Sequence, residues 1–283
     1  MSSSFSRMML FEAAVAAAIF GPAVTADTIP LPNTVVLEDR NASMAVGIQP
    51  GFGAFEWTIE GVNHLNQQWF WVRTGQDWER PLHTPSGPVA AISSDSNGNG
   101  DDDMLFLKYD YDLYTVEVTY LLTGGEALSN TSSVAETIRI ISRCEDPLDL
   151  HFFQYTDLDL NGTPADDTVE VVNASTVQQY DPLAMFSETV VTPDPDRYEA
   201  DYWSSTRDKL EDGLPSELNN SGGPLTGDVT WAFQWDFLLD GYGDTFIISK
   251  DKLLVGVPIP APGAMILGLV GLALVRRVAR RLT

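Results

Sequence analysis

Cysteine is nearly absent: Cys144 is the only one in 283 residues. An internal disulfide is therefore excluded, and stability has to come from an ordinary hydrophobic core. Basic residues are scarce as well, 16 Lys and Arg against 40 Asp and Glu. Contacts to nucleic acid or anionic lipid need Lys and Arg to neutralise phosphate, so those partners are excluded as a class, whereas cations are welcome. The histidines His64, His83 and His151 are too scattered for a metal motif, and no H-E-x-x-H, G-x-S-x-G or P-loop pattern occurs. Cys144 has no recognisable nucleophile context and reads as a buried free thiol. Carboxylates are so plentiful that no pair stands out as a glycosidase dyad, which leaves the reading non-enzymatic. Helical periodicity is missing apart from one short stretch, 204–211. No internal repeat, linker or low-complexity tract divides the chain.

What the chain does have is alternation. In LYTVEVTYLL, Tyr114, Val116, Val118, Tyr120 and Leu122 share one face, and in TWAFQWDFLL, Trp231, Phe233, Trp235, Phe237 and Leu239 do the same. Further strands are expected over 54–60, 68–73, 104–109, 135–142, 150–159, 168–173, 188–192 and 246–249, punctuated by turn-forming Gly, Pro, Asn and Asp. The expected fold is all-β: a single large antiparallel β-sandwich over 27–255, supersandwich-like in its number of strands. Sandwiches of that size also occur in sugar-active proteins, including the mutarotase-like supersandwich group; that is an analogy of fold.

Two acidic segments carry candidate chemistry. SSDSNGNGDDDM places Asp95, Asn97, Asn99 and Gly100 in the D-x-[DN]-x-[DN]-G order of a calcium loop, with Asp101 and Asp103 at the next alternate positions. The twelfth position is Phe106 rather than Glu, so a bidentate ligand is missing, and a solvated Asn/Gly hairpin loop accounts for the same residues. DLDLNGTPADD repeats the order with Asp157, Asp159, Asn161 and Gly162, followed by Asp166 and Asp167; a strand with one wet face explains it equally well. Calcium is the one cofactor these patterns suggest. The aromatic block QWFWVRTGQDW, with Trp69, Phe70, Trp71 and Trp78, offers Trp69 and Trp71 on one strand face as a sugar-stacking platform. A core strand buried on both sides shows the same pattern.

The two ends point to export. Arg7 supplies a positive n-region, 8–20 an Ala-rich apolar stretch interrupted by Glu12, and Val24-Thr25-Ala26 a small-residue cleavage site, so 1–26 reads as a signal peptide. Residues 256–283 combine a Pro motif (Val257, Pro258, Pro260), an uncharged run over 263–275, and the arginines Arg276, Arg277, Arg280 and Arg281. As a helix that run reaches roughly 20 Å, against about 30 Å of bilayer hydrocarbon. The arginines keep the end of the chain on the cytoplasmic side of the inner membrane and place the body outside. Without the two ends, 11 basic and 39 acidic residues remain, a net charge of −28.

The tripartite tail, at the extreme C-terminus and paired with a signal peptide, resembles the PEP-CTERM sorting signal of bacterial exported proteins. Ile259 stands where that family usually has Glu. Three segments of the body, 61–75, 150–171 and 230–251, are also similar to parts of proteins of that family. The resemblance implies transient insertion of the tail in the inner membrane, processing by an exosortase-type membrane protease, and delivery to the cell surface or an exopolysaccharide or biofilm matrix. Pro258 and Pro260 forbid helix and would present an extended segment to that protease. The expected function is therefore a non-enzymatic structural or binding protein of the envelope or matrix, with extracellular polysaccharide as a partner. The alternative is a carbohydrate-binding or carbohydrate-processing sandwich that uses the region of Trp69 and Trp71.

Overall fold

The computed structural model describes residues 33–48 and 53–256. The expected signal peptide, and the sorting residues Val257, Pro258, Pro260, Arg276 and Arg277, lie outside the described residues. Along the chain, β1 (Thr34–Asp39), β2 (Ala42–Gly47), β3 (Gly53–Ile59), β4 (Val62–Asn63), β5 (Leu65–Thr74) and β6 (Arg80–Pro81) belong to a first sheet. A second sheet begins with β7 (Ala90–Ser94), β8 (Met104–Asp110), β9 (Tyr114–Gly124) and β10 (Thr131–Ser142). The chain then returns to the first sheet with β11 (Leu148–Leu158) and to the second with β12 (Asp167–Asn173), β13 (Thr176–Tyr180) and β14 (Ala184–Thr192). After β15 (Arg197–Tyr202) in the first sheet comes the helix α1 (Ser205–Glu211). The last strands alternate: β16 (Leu225–Gly227) in the second sheet, β17 (Val229–Leu239) in the first, β18 (Thr245–Gly256) in the second.

The first sheet runs β1-β2-β3-β5-β11-β17-β15 and the second β16-β12-β13-β14-β18-β10-β9-β8-β7. The pairings are antiparallel, so the expected all-β sandwich is what the residues form. The two inner faces carry the alternating residues read from the sequence. Trp231, Phe233 and Trp235 of β17 join Phe70 and Phe152, and opposite them lie Val116, Val118, Tyr120, Ile138, Ile140 and Ile248, all fully or almost fully buried. Trp57 meets Phe186 edge-on at 6.2 Å between centroids and Phe186 meets Trp231 at 6.2 Å, which ties the aromatic set of one sheet to the other. At the end of β9 only glycine fits: a Cβ on Gly124 would lie 1.8 Å from the carbonyl oxygen of Asp39.

Two departures from the sequence expectation are informative. β18 continues past Ser249 to Gly256, because Lys250 and Lys252, which read as the polar end of a strand, point between the sheets. There they meet Glu136 of β10 and Glu188 of β14. Lys250 pairs with Glu136 and donates to Gln154 of β11, lies 3.8 Å from Glu188, and sits 5.0 Å from the Phe70 ring centroid and 5.8 Å from that of Trp235. Lys252 donates to Glu136 at 2.6 Å and to Gln68 of β5 at 2.8 Å, and Gln154 Nε2 donates to Glu188 at 3.0 Å. Burial pushes the Glu136 carboxyl up, but the two lysines outweigh it and hold the group below the usual range. Burial pushes Glu188 up and Lys250 down.

The second departure is that β11 and β17 are buried on both sides, as is β5, for which the sequence already offered that reading. Their inner residues face the second sheet. Their outer residues, among them Trp69, Trp71, Phe153, Tyr155, Ala232 and Gln234, are covered as well. The short strands β1, β2, β7, β13, β15 and β16 were not expected; RYEADY does alternate, Arg197, Glu199 and Asp201 against Tyr198, Ala200 and Tyr202, but over only six residues.

The interior lattice makes a test. Lys250→Met leaves two buried carboxylates sharing one lysine and should cost about 3–5 kcal/mol in denaturant unfolding. Adding Glu136→Met should recover most of that loss, because no uncompensated charge then stays buried. A single variant as stable as the parent would show that the lattice carries no net ionic contribution.

Candidate functional site

The outer face of the first sheet brings a set of polar residues into register. Strand pairing sets Arg73 of β5, His151 of β11 and Asp236 of β17 side by side in one row. His151 Nδ1 lies 2.6 Å from Asp236 Oδ1, and Gln234 Nε2 donates to the same Asp236 oxygen at 2.8 Å. The hydrogen bond from His151, together with that from Gln234, holds the Asp236 carboxyl below its usual range although burial acts the other way. Arg73, only 3% exposed, pairs with Glu217 at 3.0 Å and with the buried Glu79 at 3.4 Å, and Arg197 Nε reaches Glu217 at 2.8 Å. Burial raises Glu79, which accepts from the Ser216 backbone N–H at 2.7 Å.

Next to this row an open cleft of about 490 Å³ lies over β5. Trp69 and Trp71 form its floor; Phe55, Asn66, Pro81 and His83 line its sides; Arg207 and Glu211 of α1 stand at its mouth. Trp69 Nε1 donates to His83 Nδ1 at 3.2 Å, and burial lowers the His83 pKa, so the imidazole is a neutral acceptor there. Arg207 and Glu211 are 3.5 Å apart, partly exposed, one turn apart on the helix. A second cleft of about 450 Å³, across the strap that contains β6, is lined by Trp78, Arg80, Tyr111, Tyr114 and Asp77. Trp78 is the half-open aromatic of that region, with Arg80 4.8 Å over its ring.

The structure places the residues singled out in the sequence as follows. Trp69 is 0% and Trp71 1% exposed. Their rings meet His83, Tyr109 and Phe70 in the first case and Tyr155 in the second, so they give the cleft an apolar floor rather than an open stacking face. In the Asp95–Asp103 loop the oxygens turn inward on the chain itself. Asp95 accepts from the N–H groups of Gly98 (2.6 Å), Asn99 (3.3 Å) and Gly100 (2.8 Å), which holds its carboxyl below the usual range. Asn97 and Asn99 donate to Asp39, Asn99 Oδ1 accepts from the Asp101 N–H, and Asp103 accepts from Ser96.

The other acidic segment is divided. Asp157 and Asp159 come together with Asp228, and Asp166 and Asp167 with Asp181. Asn161 Nδ2 turns to Asp181 at 2.7 Å. Burial pushes Asp167 up to about 7. Sequence reasoning missed Arg207, Glu211, Arg73, Asp236 and Asp228, and it set aside His83 and His151 as scattered. The available signal was weak: Arg73 and Asp236 are charges inside otherwise apolar strand runs, on the face opposite the sandwich interior.

No family model matches the chain, and no curated protein does. Solved structures do. The chain superposes on a bacterial glucoamylase complexed with acarbose with a TM-score of 0.51 at 11% identity, covering 83% of this chain and 32% of that one. It thus spans about a third of the glucoamylase. A protein of Escherichia coli K12 described as an aldose 1-epimerase matches with a TM-score of 0.46 at 9% identity, over 79% of this chain and 99% of that one. An α-mannosidase from Bacteroides thetaiotaomicron matches with a TM-score of 0.35 at 14% identity, over 72% and 25% of the two chains. The expectation of a non-enzymatic structural or binding component of the envelope or matrix is corrected on these findings: the described residues adopt a β-sandwich shared with a carbohydrate-processing enzyme.

Proposed function

We propose that the chain is a carbohydrate-binding or carbohydrate-processing β-sandwich whose saccharide enters the cleft over Trp69 and Trp71. The observation that carries this reading is the cleft itself. Its volume of about 490 Å³ lies within the range of small-molecule sites, and it has an apolar aromatic floor with a few polar groups at the rim. A sugar ring has apolar C–H faces and a polar equator, so it suits a site of that composition. Asn66, His83, Arg207 and Glu211 supply donors and acceptors of both kinds. The superposition on the glucoamylase supports the reading through fold alone. Calcium at the Asp95–Asp103 loop belongs to the same proposal on the order of its oxygen-bearing residues; an ion there competes with the N–H groups of Gly98, Asn99 and Gly100 for Asp95.

Glycan-array screening of the protein, followed by NMR of the saccharides that bind, reads both affinity and any chemical conversion. Arg207→Ala with Glu211→Ala, at partly exposed positions of α1, should weaken binding about tenfold or more, the equivalent of one or two lost charged hydrogen bonds, with little change in melting temperature. An array without hits, or hits that the double variant binds unchanged, would remove the cleft as the saccharide site.

Export and sorting are part of the proposal on the strength of the sequence ends. The body is delivered across the inner membrane, and the tail from Val257 to Thr283 acts as an address that an exosortase-type protease removes before the protein reaches the surface or matrix. Deleting 263–283 should release protein into the periplasm or medium, whereas the full chain passes through a membrane-bound precursor. Mass spectrometry of the mature surface protein is the check. Mature surface protein that still contains the Arg276–Arg281 segment would identify a retained anchor instead.

A further inference from the structure

At one end of the outer face, Asp157 near the end of β11, Asp159 just beyond it and Asp228 just before β17 bring one carboxylate oxygen each to within 4.8 Å of one another. A calcium ion sits about 2.3–2.6 Å from each oxygen ligand, so oxygens sharing one ion are at most about 5 Å apart. The spacing is that of a single coordination shell.

Crowded carboxylates alone are common, and the case rests on Asp157. It is 1% exposed, and its Oδ1 has no hydrogen-bond partner. Asn66 Nδ2 at 3.0 Å and the Tyr155 hydroxyl at 3.4 Å take Oδ2, which leaves Oδ1 as the oxygen available to an ion. The cations on the neighbouring elements are engaged elsewhere: Arg207 with Glu211, Lys209 with Glu199 at 2.5 Å, and Arg197 with Glu217. A buried carboxylate with an empty acceptor and two anions at its side is a costly arrangement unless a proton or a metal cation neutralises it.

We propose that Asp157, Asp159 and Asp228 hold a divalent cation, Ca²⁺ by their chemistry. Three hard oxygen ligands with waters completing the shell suit the six to eight loosely arranged ligands of calcium, whereas magnesium demands a near-ideal octahedron at shorter distance. The ion staples the end of β11 to the start of β17. It also lies beside the cleft, because Asn66 both lines that cleft and holds Asp157. The ligand set differs from the consecutive one read in the sequence: Asp228 replaces Asn161, whose side chain serves Asp181. The site stands whether or not the cleft takes a saccharide.

The test is titration of the chelator-stripped protein with CaCl₂ by calorimetry, and with Tb³⁺ by luminescence, for which Tyr155 is an adjacent sensitiser. One ion should bind at this site, counted in the Asp95→Ala/Asp101→Ala background so that the Asp95–Asp103 loop does not contribute, with a dissociation constant of about 10⁻⁴–10⁻³ M, the range of extracellular calcium sites. Asp228→Asn should weaken it about tenfold or more, and Asp95→Ala with Asp101→Ala should leave it unchanged. A melting curve confirms that Asp228→Asn is folded; should it not fold, Asp159→Asn gives the same reading. In the Asp95→Ala/Asp101→Ala background, no heat and no sensitised emission at millimolar ion, or binding that survives both Asp228→Asn and Asp159→Asn, would overturn the assignment.

Discussion

Lys250 and Lys252 project from one strand of the second sheet into the gap between the sheets, where Gln154 and Gln68 of the first sheet receive them and Glu136 and Glu188 balance their charge. The rest of the molecule is built around that contact. Apolar surfaces that face each other tolerate sliding, because burial is non-directional. A buried ammonium does not: moved by one residue, it leaves its carboxylate uncompensated in a low-dielectric interior. The lattice touches β5, β10, β11, β14 and β18, and so fixes which part of one sheet lies over which part of the other.

That alignment has consequences on the far side of the first sheet. Gln68 and Phe70 face the lattice, so Trp69 and Trp71 necessarily face outward, and the same alternation turns Phe153, Tyr155 and Asp157 of β11 the same way. The outer face would be open on an isolated sandwich. Here the strap around β6, the helix α1 and the segment before β16 lie over it, and the cleft is the space they leave uncovered. The positions of Arg207 and Glu211 at the mouth therefore depend on how α1 packs, whereas the floor depends on the register of β5.

Much of the fold was legible along the chain. Alternation in 114–122 and 231–239 identified inward faces that the structure buries, and the short helical stretch at 204–211 forms α1 over Ser205–Glu211. The ambiguity of QWFWVRTG was real at that level: a strand buried on both sides and a platform strand look alike until the covering strap is known. Lys250 and Lys252 misled because a lysine at an inward position reads as a polar strand end, and only the partners on β10 and β14 reverse that reading. The acidic segments show a further limit: at Asp95–Asp103 the ordered oxygens accept from the loop's own N–H groups, a pairing that residue order alone does not reveal.

The sequence by itself determined the all-β class, the inward face of the strongest strands, the absence of an internal disulfide, and a strongly acidic composition. Only the tertiary structure decided which polar groups meet. Arg73, His151 and Asp236 form a row because β5, β11 and β17 are neighbours in the sheet, although β11 and β17 are distant in sequence. Asp228 joins Asp157 for the same reason. Alternation is a local property of a strand and reports the side on which a residue lies; which residue stands opposite is set by strand order and register, which are properties of the whole chain.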